Sequence, residues 1–169
     1  MEYVVVVNDR DEAIGTMPID DAHRDGTPHR IAVTYVENAS RQILVQIRMS
    51  GARDHSSAGH VRPGESYLEA ATRELAEELG IRDTPLIKIG HGVSREQQSE
   101  SGSFKTHVFD VFRCVAEAAD PQPDEVQGVF WADPEGTMED MLRSANIAIY
   151  AGGFRASLPI YLAWRDVSR

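Results

Sequence analysis

The sequence predicts an α/β fold: a mixed β-sheet with an amphipathic helix on one face and C-terminal helices elsewhere. Three observations carry this. β-Branched and alternating runs recur along the chain, at residues 3–7, 30–36, 42–49, 104–115 and 126–131, as strands do. Between them, residues 59–81, GHVRPGESYLEAATRELAEELGI, switch to the period of a helix. The tail reads as two more helical segments, about 137–149 and 154–167, divided by Gly152 and Gly153.

In chain order, the first strand ends at the turn residues Asn8 and Asp9, and residues 13–19 return from that turn as a short strand. Residues 20–30, DDAHRDGTPHR, read as a polar loop with Gly26 and Pro28. Residues 30–49 read as a hairpin turning at 37–41. A polar loop over 50–58 leads into the helical stretch. Residues 85–93 are strand-like, and 94–103, SREQQSESGS, form a polar loop. A turn at 121–124 precedes the last strand. There is no repeat and no linker, so residues 1–169 are expected to form one domain.

The helix within 59–81 carries the chemistry. Ser66 and Glu69 fit a capping box, and Gly80 marks the end. Leu68, Ala71, Thr72, Leu75 and Leu79 form one apolar stripe. Glu74, Glu77 and Glu78 are expected opposite it, with Ala70 among them. Like charges at this spacing cost a helix about 0.2–0.5 kcal/mol per pair. Glu77 and Glu78 also lie near the negative end of the helix dipole. A divalent cation would relieve both penalties. Hard cations such as Mg²⁺ take carboxylate oxygens together with substrate phosphates. A plain charged helix end is the competing reading.

Composition narrows the classes. The hydrophobic share of 41% and charged share of 26% are ordinary for a globular protein. No apolar run approaches the roughly 18 residues of a membrane span, and no signal-peptide pattern is present, so the expected location is the cytoplasm. A net charge of −10 disfavours binding to a nucleic-acid polymer. It does not exclude a small anionic substrate, because a bound metal reverses the local sign. Cys114, alone of its kind, sits in the apolar run VFDVFRCV and reads as a buried small hydrophobe.

The stretch 59–81 resembles the Nudix box, G-x5-E-x7-R-E-U-x-E-E-x-G-U with U aliphatic. Gly59, Glu65, Arg73, Glu74, Leu75, Glu77, Glu78, Gly80 and Ile81 all fall in register. The resemblance implies the α/β/α sandwich of the Nudix fold, a topology that strand reading alone does not specify. It implies a Mg²⁺- or Mn²⁺-dependent hydrolase acting on the diphosphate linkage of a nucleoside diphosphate derivative or related organic diphosphate. It implies metal ligation by Glu74, Glu77, Glu78 and a carbonyl at Ala58 or Gly59. Glu74 is implied as the base, Arg73 as its orienting partner and Glu65 as a support for the loop. Among the weaker substrate-side candidates are Arg48, at the end of a strand where such proteins carry a phosphate-binding arginine, His60, and Glu125 as an extra acid. Glu96, Glu100 and Asp124 are further acids, and Phe104 and Phe154 candidate stackers. Dimers are common in the family, so a homodimer is compatible.

A wider, less specific resemblance covers most of the chain. VVNDRDEAIGTM, HRDGTPHR, QILVQIR and SAGHVRPGES look like the branch related to isopentenyl-diphosphate isomerase. His23, His29 and His60 correspond to metal-holding histidines there, although loop histidines are more often merely solvated. The isomerase's catalytic cysteine falls at Ala58, and its later pair of site glutamates falls in FKTHV, 104–108, which has none. The resemblance therefore implies the isomerase frame with hydrolase chemistry. Two alternatives stand beside it: an isomerase-like enzyme, and a non-catalytic module that binds a nucleotide diphosphate.

Overall fold

A computed structural model describes residues 1–98, 104–143 and 145–168. Among the described residues, nine strands form one mixed sheet, and four α-helices flank it. Strand β3, His29–Glu37, is central. Along one side it pairs in parallel with β8, Phe104–Val115, from His29↔His107 to Glu37↔Val115. Along the other side it meets three strands in turn: β1 (Tyr3–Val7) at His29, β6 (Ser57–His60) over Ile31 to Thr34, and β4 (Ile43–Arg48) at Glu37. β2 (Ala13–Pro18) and β7 (Ile87–Gln97) lie outside β1 and β8. β5 (Arg53–Asp54) and β9 (Val126–Ala132) flank β4.

Alternation along the strands divides the core into two layers. Ile31, Val33 and Tyr35 on β3, with Phe109 and Val111 on β8, pack against Phe154, Leu158 and Tyr161 of α4, Gly152–Val167. Ala32 and Val36, with Val108, Phe112 and Cys114, face the other way, toward Ala70, Ala71, Leu75 and Leu79 of α2, Tyr67–Leu79. The sheet is thus sandwiched as expected, with α2 on one face and α4 on the other. Gly90 makes the α4 contact close: a Cβ there would fall 2.2 Å from Cγ2 of Ile160. Cys114 is buried, as read from sequence, and burial pushes its thiol pKa up to about 12.

Several local expectations are corrected. The supposed loop at 20–30 contains helix α1, Ile19–Asp25, which ends in a left-handed Gly26. Its polar sequence hid a helix of two turns that buries only Ala22. The hairpin of 30–49 is paired only at Glu37↔Ile43, because β4 leaves β3 to join β9. β7 runs on to Gln97, through part of the expected loop, and the rest of that loop, 99–103, lies outside the described residues. Helix α3 is Pro134–Leu142, started by Asp133 accepting from the Gly136 N–H at 2.7 Å, and a 3-10 turn, Ile147–Ile149, follows it separately.

The packed face of α2 also differs from the expected stripe. Leu68 and Thr72 are exposed, while Ala70 is buried. The helix is rotated so that Glu74 and Glu78 border the buried side rather than standing opposite it.

Candidate functional site

The capping box of α2 forms as expected. The Glu69 N–H donates to Ser66 Oγ at 3.2 Å, and the Ser66 N–H donates to Glu69 at 2.7 Å. This sets the start of a helix whose later turns carry the acids. α2 crosses β6, and the crossing point is Gly59. A Cβ at Gly59 would lie 1.9 Å from the Glu74 carboxyl carbon, so the carboxylate rests directly on the Gly59 backbone.

Arg73 ties the helix to the incoming loop. Its Nε donates to Glu65 Oε1 at 2.7 Å, and one terminal nitrogen donates to Glu65 Oε2 at 3.0 Å and to the His60 carbonyl at 2.9 Å. The other terminal nitrogen donates to Glu74 Oε1 and, at 3.1 Å, to Glu77 Oε2. Glu65 itself accepts from the Arg62 N–H at 2.9 Å. Such charge-assisted, forked contacts hold both partners in one orientation.

The acids differ in environment. Glu77 is largely exposed. Glu74 is mostly buried, and desolvation raises its pKa against the lowering effect of Arg73. Glu78 accepts from the Ala58 N–H at 3.2 Å. Burial first, with repulsion from Glu74, pushes its pKa up to about 7. A buried carboxylate with too little compensation takes up a proton or a cation, and its oxygens suit a hard divalent ion. Glu74, Glu77, Glu78 and the adjoining backbone of Gly59 could hold one.

A cleft of about 360 Å³ opens beside this group, lined by Glu74, Glu77, His60, Arg48, Lys105 and Glu125 among others. Glu78 borders an adjoining recess that shares Arg48, Glu96 and Glu125. The sequence candidates Arg48, His60, Glu96 and Glu125 therefore converge. Arg48 also meets its competing reading, an ion pair with Asp54 at 3.1 Å. Phe154 is core, and Phe104 lies under the Arg95 guanidinium rather than in the cleft. Glu100 lies outside the described residues.

His23, His29 and His60 do come together, and they are joined by His107, which sequence reading passed over. His107 stands in FKTHV, the stretch that lacks the isomerase's pair of glutamates. The signal available was pairing: His29 and His107 are direct neighbours in the parallel β3–β8 register, and His60 faces Ile31 one step along. Lys105 and the buried Asp54–His55 pair, 2.6 Å apart, are further cleft residues that no motif announced.

The sandwich, the glycine loop and the arginine–carboxylate helix define a protein of the Nudix class. The NUDIX domain family model matches residues 27–151, and the chain belongs to that family. It is similar to an isopentenyl-diphosphate Delta-isomerase of Clavibacter sepedonicus, 32% identical over 79% of this chain and 75% of the relative. It is equally similar in extent to an uncharacterized Nudix hydrolase, YfcD, of Shigella flexneri, 30% identical over 79% of this chain and 75% of the relative. The crystal structure of DR0079 from Deinococcus radiodurans superposes with a TM-score of 0.69 at 24% identity, covering 85% of this chain and 90% of that one. That likeness shows the fold. The protein is an enzyme of the Nudix hydrolase class, a class that uses divalent metal. No helix among the described residues is long and apolar enough to cross a membrane.

Proposed function

We propose that this chain, acting as one domain in the cytoplasm, hydrolyses the diphosphate linkage of a nucleoside diphosphate derivative or related organic diphosphate with Mg²⁺ or Mn²⁺. The observation that carries this is the packing of Glu74 and Glu78 around β6. Glu74 lies on Gly59, Glu78 on the Ala58 N–H, and Arg73 is bound to Glu74 and Glu65 together. The bound metal would neutralise the diphosphate and acidify the attacking water.

The chain's own residues then have distinct tasks. Glu74, Glu77, Glu78 and the Gly59 carbonyl would hold the ion. Glu74 accepts the proton of the water whose oxygen attacks phosphorus, and the bridging P–O bond breaks with its electrons going to the departing phosphate. Arg73 is a positioning residue that keeps Glu74 aligned. Arg48 and Lys105 supply positive charge on the cleft wall for the substrate's remaining phosphate oxygens.

The test is a panel of nucleotides and organic diphosphates assayed with Mg²⁺ and Mn²⁺. Glu77→Gln and Glu78→Gln are each expected to lower turnover by at least a hundredfold, on the order of what misplaced catalytic groups cost. Turnover retained in both variants would sink the assignment. A second reading draws on the isomerase names among the relatives. Ala58, a methyl where that enzyme's reactive cysteine is expected, counts against it. An allylic diphosphate formed without phosphate release would establish it instead.

A further inference from the structure

The first turn of α4 is an uncapped helix end inside the cleft. Its opening intrahelical bond runs from the Arg155 N–H to the Ala151 carbonyl at 3.0 Å. The N–H groups of Gly152, Gly153 and Phe154 come before that bond and have no partner within the helix. Ala151, at the N-cap, makes no side-chain cap bond. Such an end carries about half a positive charge and points its free donors outward. Ala151, Gly152 and Gly153 line the same cleft as Glu74 and Glu77.

A second observation, on a different element, points to a ligand at this end. His55, just after β5, is 2% exposed, and its Nε2 is buried with no hydrogen-bond partner among the described residues. The ring edge is turned to the helix: a Cβ on Gly153 would lie 3.1 Å from His55 Cε1 and 3.7 Å from Nε2. On the opposite edge Nδ1 lies 2.6 Å from Oδ1 of the buried Asp54. A carboxylate at Nδ1 fixes the ring and leaves Nε2 facing the other way. Neither glycine has a positive φ, and alanine is the better helix former. Their missing side chains instead keep the space before His55 open. One acid stands close by. A Cβ on Gly152 would lie 2.9 Å from the Glu96 carboxyl, which pairs only loosely with Arg155, at 3.6 Å.

We propose that His55 Nε2 and the free N–H groups of Gly152 and Gly153 form a subsite for the terminal phosphoryl group of the substrate, an inference that rests on the hydrolase reading and narrows its substrate class. Shape selects a terminal group. Tyr35 and Phe154, both fully buried, stand against His55 at ring-centroid distances of 5.9 and 5.5 Å, so nothing continues past the imidazole. Charge selects it too. A terminal phosphoryl loses its second proton at a pKa of about 6 and becomes dianionic, whereas an internal diester stays monoanionic. The hydrogen bond at Nε2 forms in either protonation state. A hydrogen phosphate donates its O–H to the bare nitrogen, and a dianion accepts from the protonated ring. The substrate is then a diphosphate with a free phosphoryl end, not one esterified at both ends. Glu96 competes with that phosphoryl group for the same donors.

The experiment titrates inorganic phosphate into the full chain in EDTA and follows the imidazole ¹⁵N resonances. Dimethyl phosphate is the diester control, and chloride matches the ionic strength. The His55 signals are those absent from His55→Gln. Phosphate should shift His55 Nε2 saturably, and dimethyl phosphate and chloride should not. By calorimetry, His55→Phe should weaken phosphate binding about tenfold, as losing a hydrogen bond to a charged group does. Glu96→Gln should tighten it about twofold, as removing one nearby like charge does. The opposite signs matter, because general damage to the fold weakens binding in both, and the Glu96→Gln arm stands even if His55→Phe misfolds. No phosphate binding, binding that leaves His55 Nε2 unmoved, an equal response to dimethyl phosphate, or weaker binding in Glu96→Gln would overturn the proposal. The titration contains no metal and reads no turnover. Its failure therefore leaves the loss of hydrolysis in Glu77→Gln standing, whereas retained turnover in Glu77→Gln and Glu78→Gln sinks the hydrolase reading with phosphate binding intact.

Discussion

Gly59 is held to glycine by its neighbour rather than by its own backbone. Any Cβ at this point overlaps the Glu74 carboxyl, so Gly59→Ala must displace that side chain. Turnover is expected to fall by about a hundredfold, since a shift of about 1 Å in a reacting group has that effect. Thermal stability should change little, because the Glu74 side chain can move into the cleft. Unchanged kcat in Gly59→Ala would show that Glu74 need not rest there. Glu78 offers a test by pH. Its folded pKa is raised from 4.5 to about 7, so the folded chain binds a proton that the unfolded chain has lost. Stability therefore falls as pH rises from about 4.5 through about 7. In EDTA, the Tm of the native chain relative to that of Glu78→Gln should decline across that window, a difference that separates Glu78 from the histidines titrating in the opposite sense. Saturating Mg²⁺ should remove the decline, since the ion replaces the proton.

At the scale of elements, α2 and α4 are positioned by different means. α2 is defined locally: its capping box, Glu-rich second half and terminal Gly80 all lie within residues 66–80, so its limits are readable from one continuous stretch. Its rotation is not. The helix has Leu68 on one side and Ala70 on the other, and the small residue won the sheet contact because it lets the backbone come close to β6. α4 is docked through Gly90 on β7, against Ile160. Gly90→Ala is expected to cost about 1–3 kcal/mol, as overpacking does, read as a lower midpoint in urea. Ile160→Ala should recover most of that loss in the double variant. Additive losses would show that the two do not touch.

For the whole molecule, the four histidines make an acid-sensitive joint between α1 and the sheet. Burial first, then the charges that neighbouring groups would add, holds His23, His60 and His107 down to about 4, 3 and 2. The folded state keeps them neutral while the unfolded state protonates near 6.5. Their contribution is fully present above about pH 6.5 and is lost as pH falls toward 4. Metal-free protein should lose Tm over that range. His60→Gln should flatten the loss, and an unchanged slope would count against a buried neutral cluster.

The sequence by itself determined the family. The row from Gly59 to Ile81 is a local pattern: helix periodicity, a cap and a run of acids need no distant partner to be recognised. It also determined that β-runs dominate the chain and that Cys114 is buried. Tertiary structure decided what depends on strand pairing. Only the parallel register of β3 with β8 brings His107 beside His29, across 78 residues of sequence, and only the chain crossing at Gly59 sets Glu74 on a backbone that a motif shows merely as a small residue. α1 was missed because a short polar helix has too few buried positions to leave a period. Register, rotation and crossing arise from contacts between segments far apart in the chain, and local spacing does not encode them.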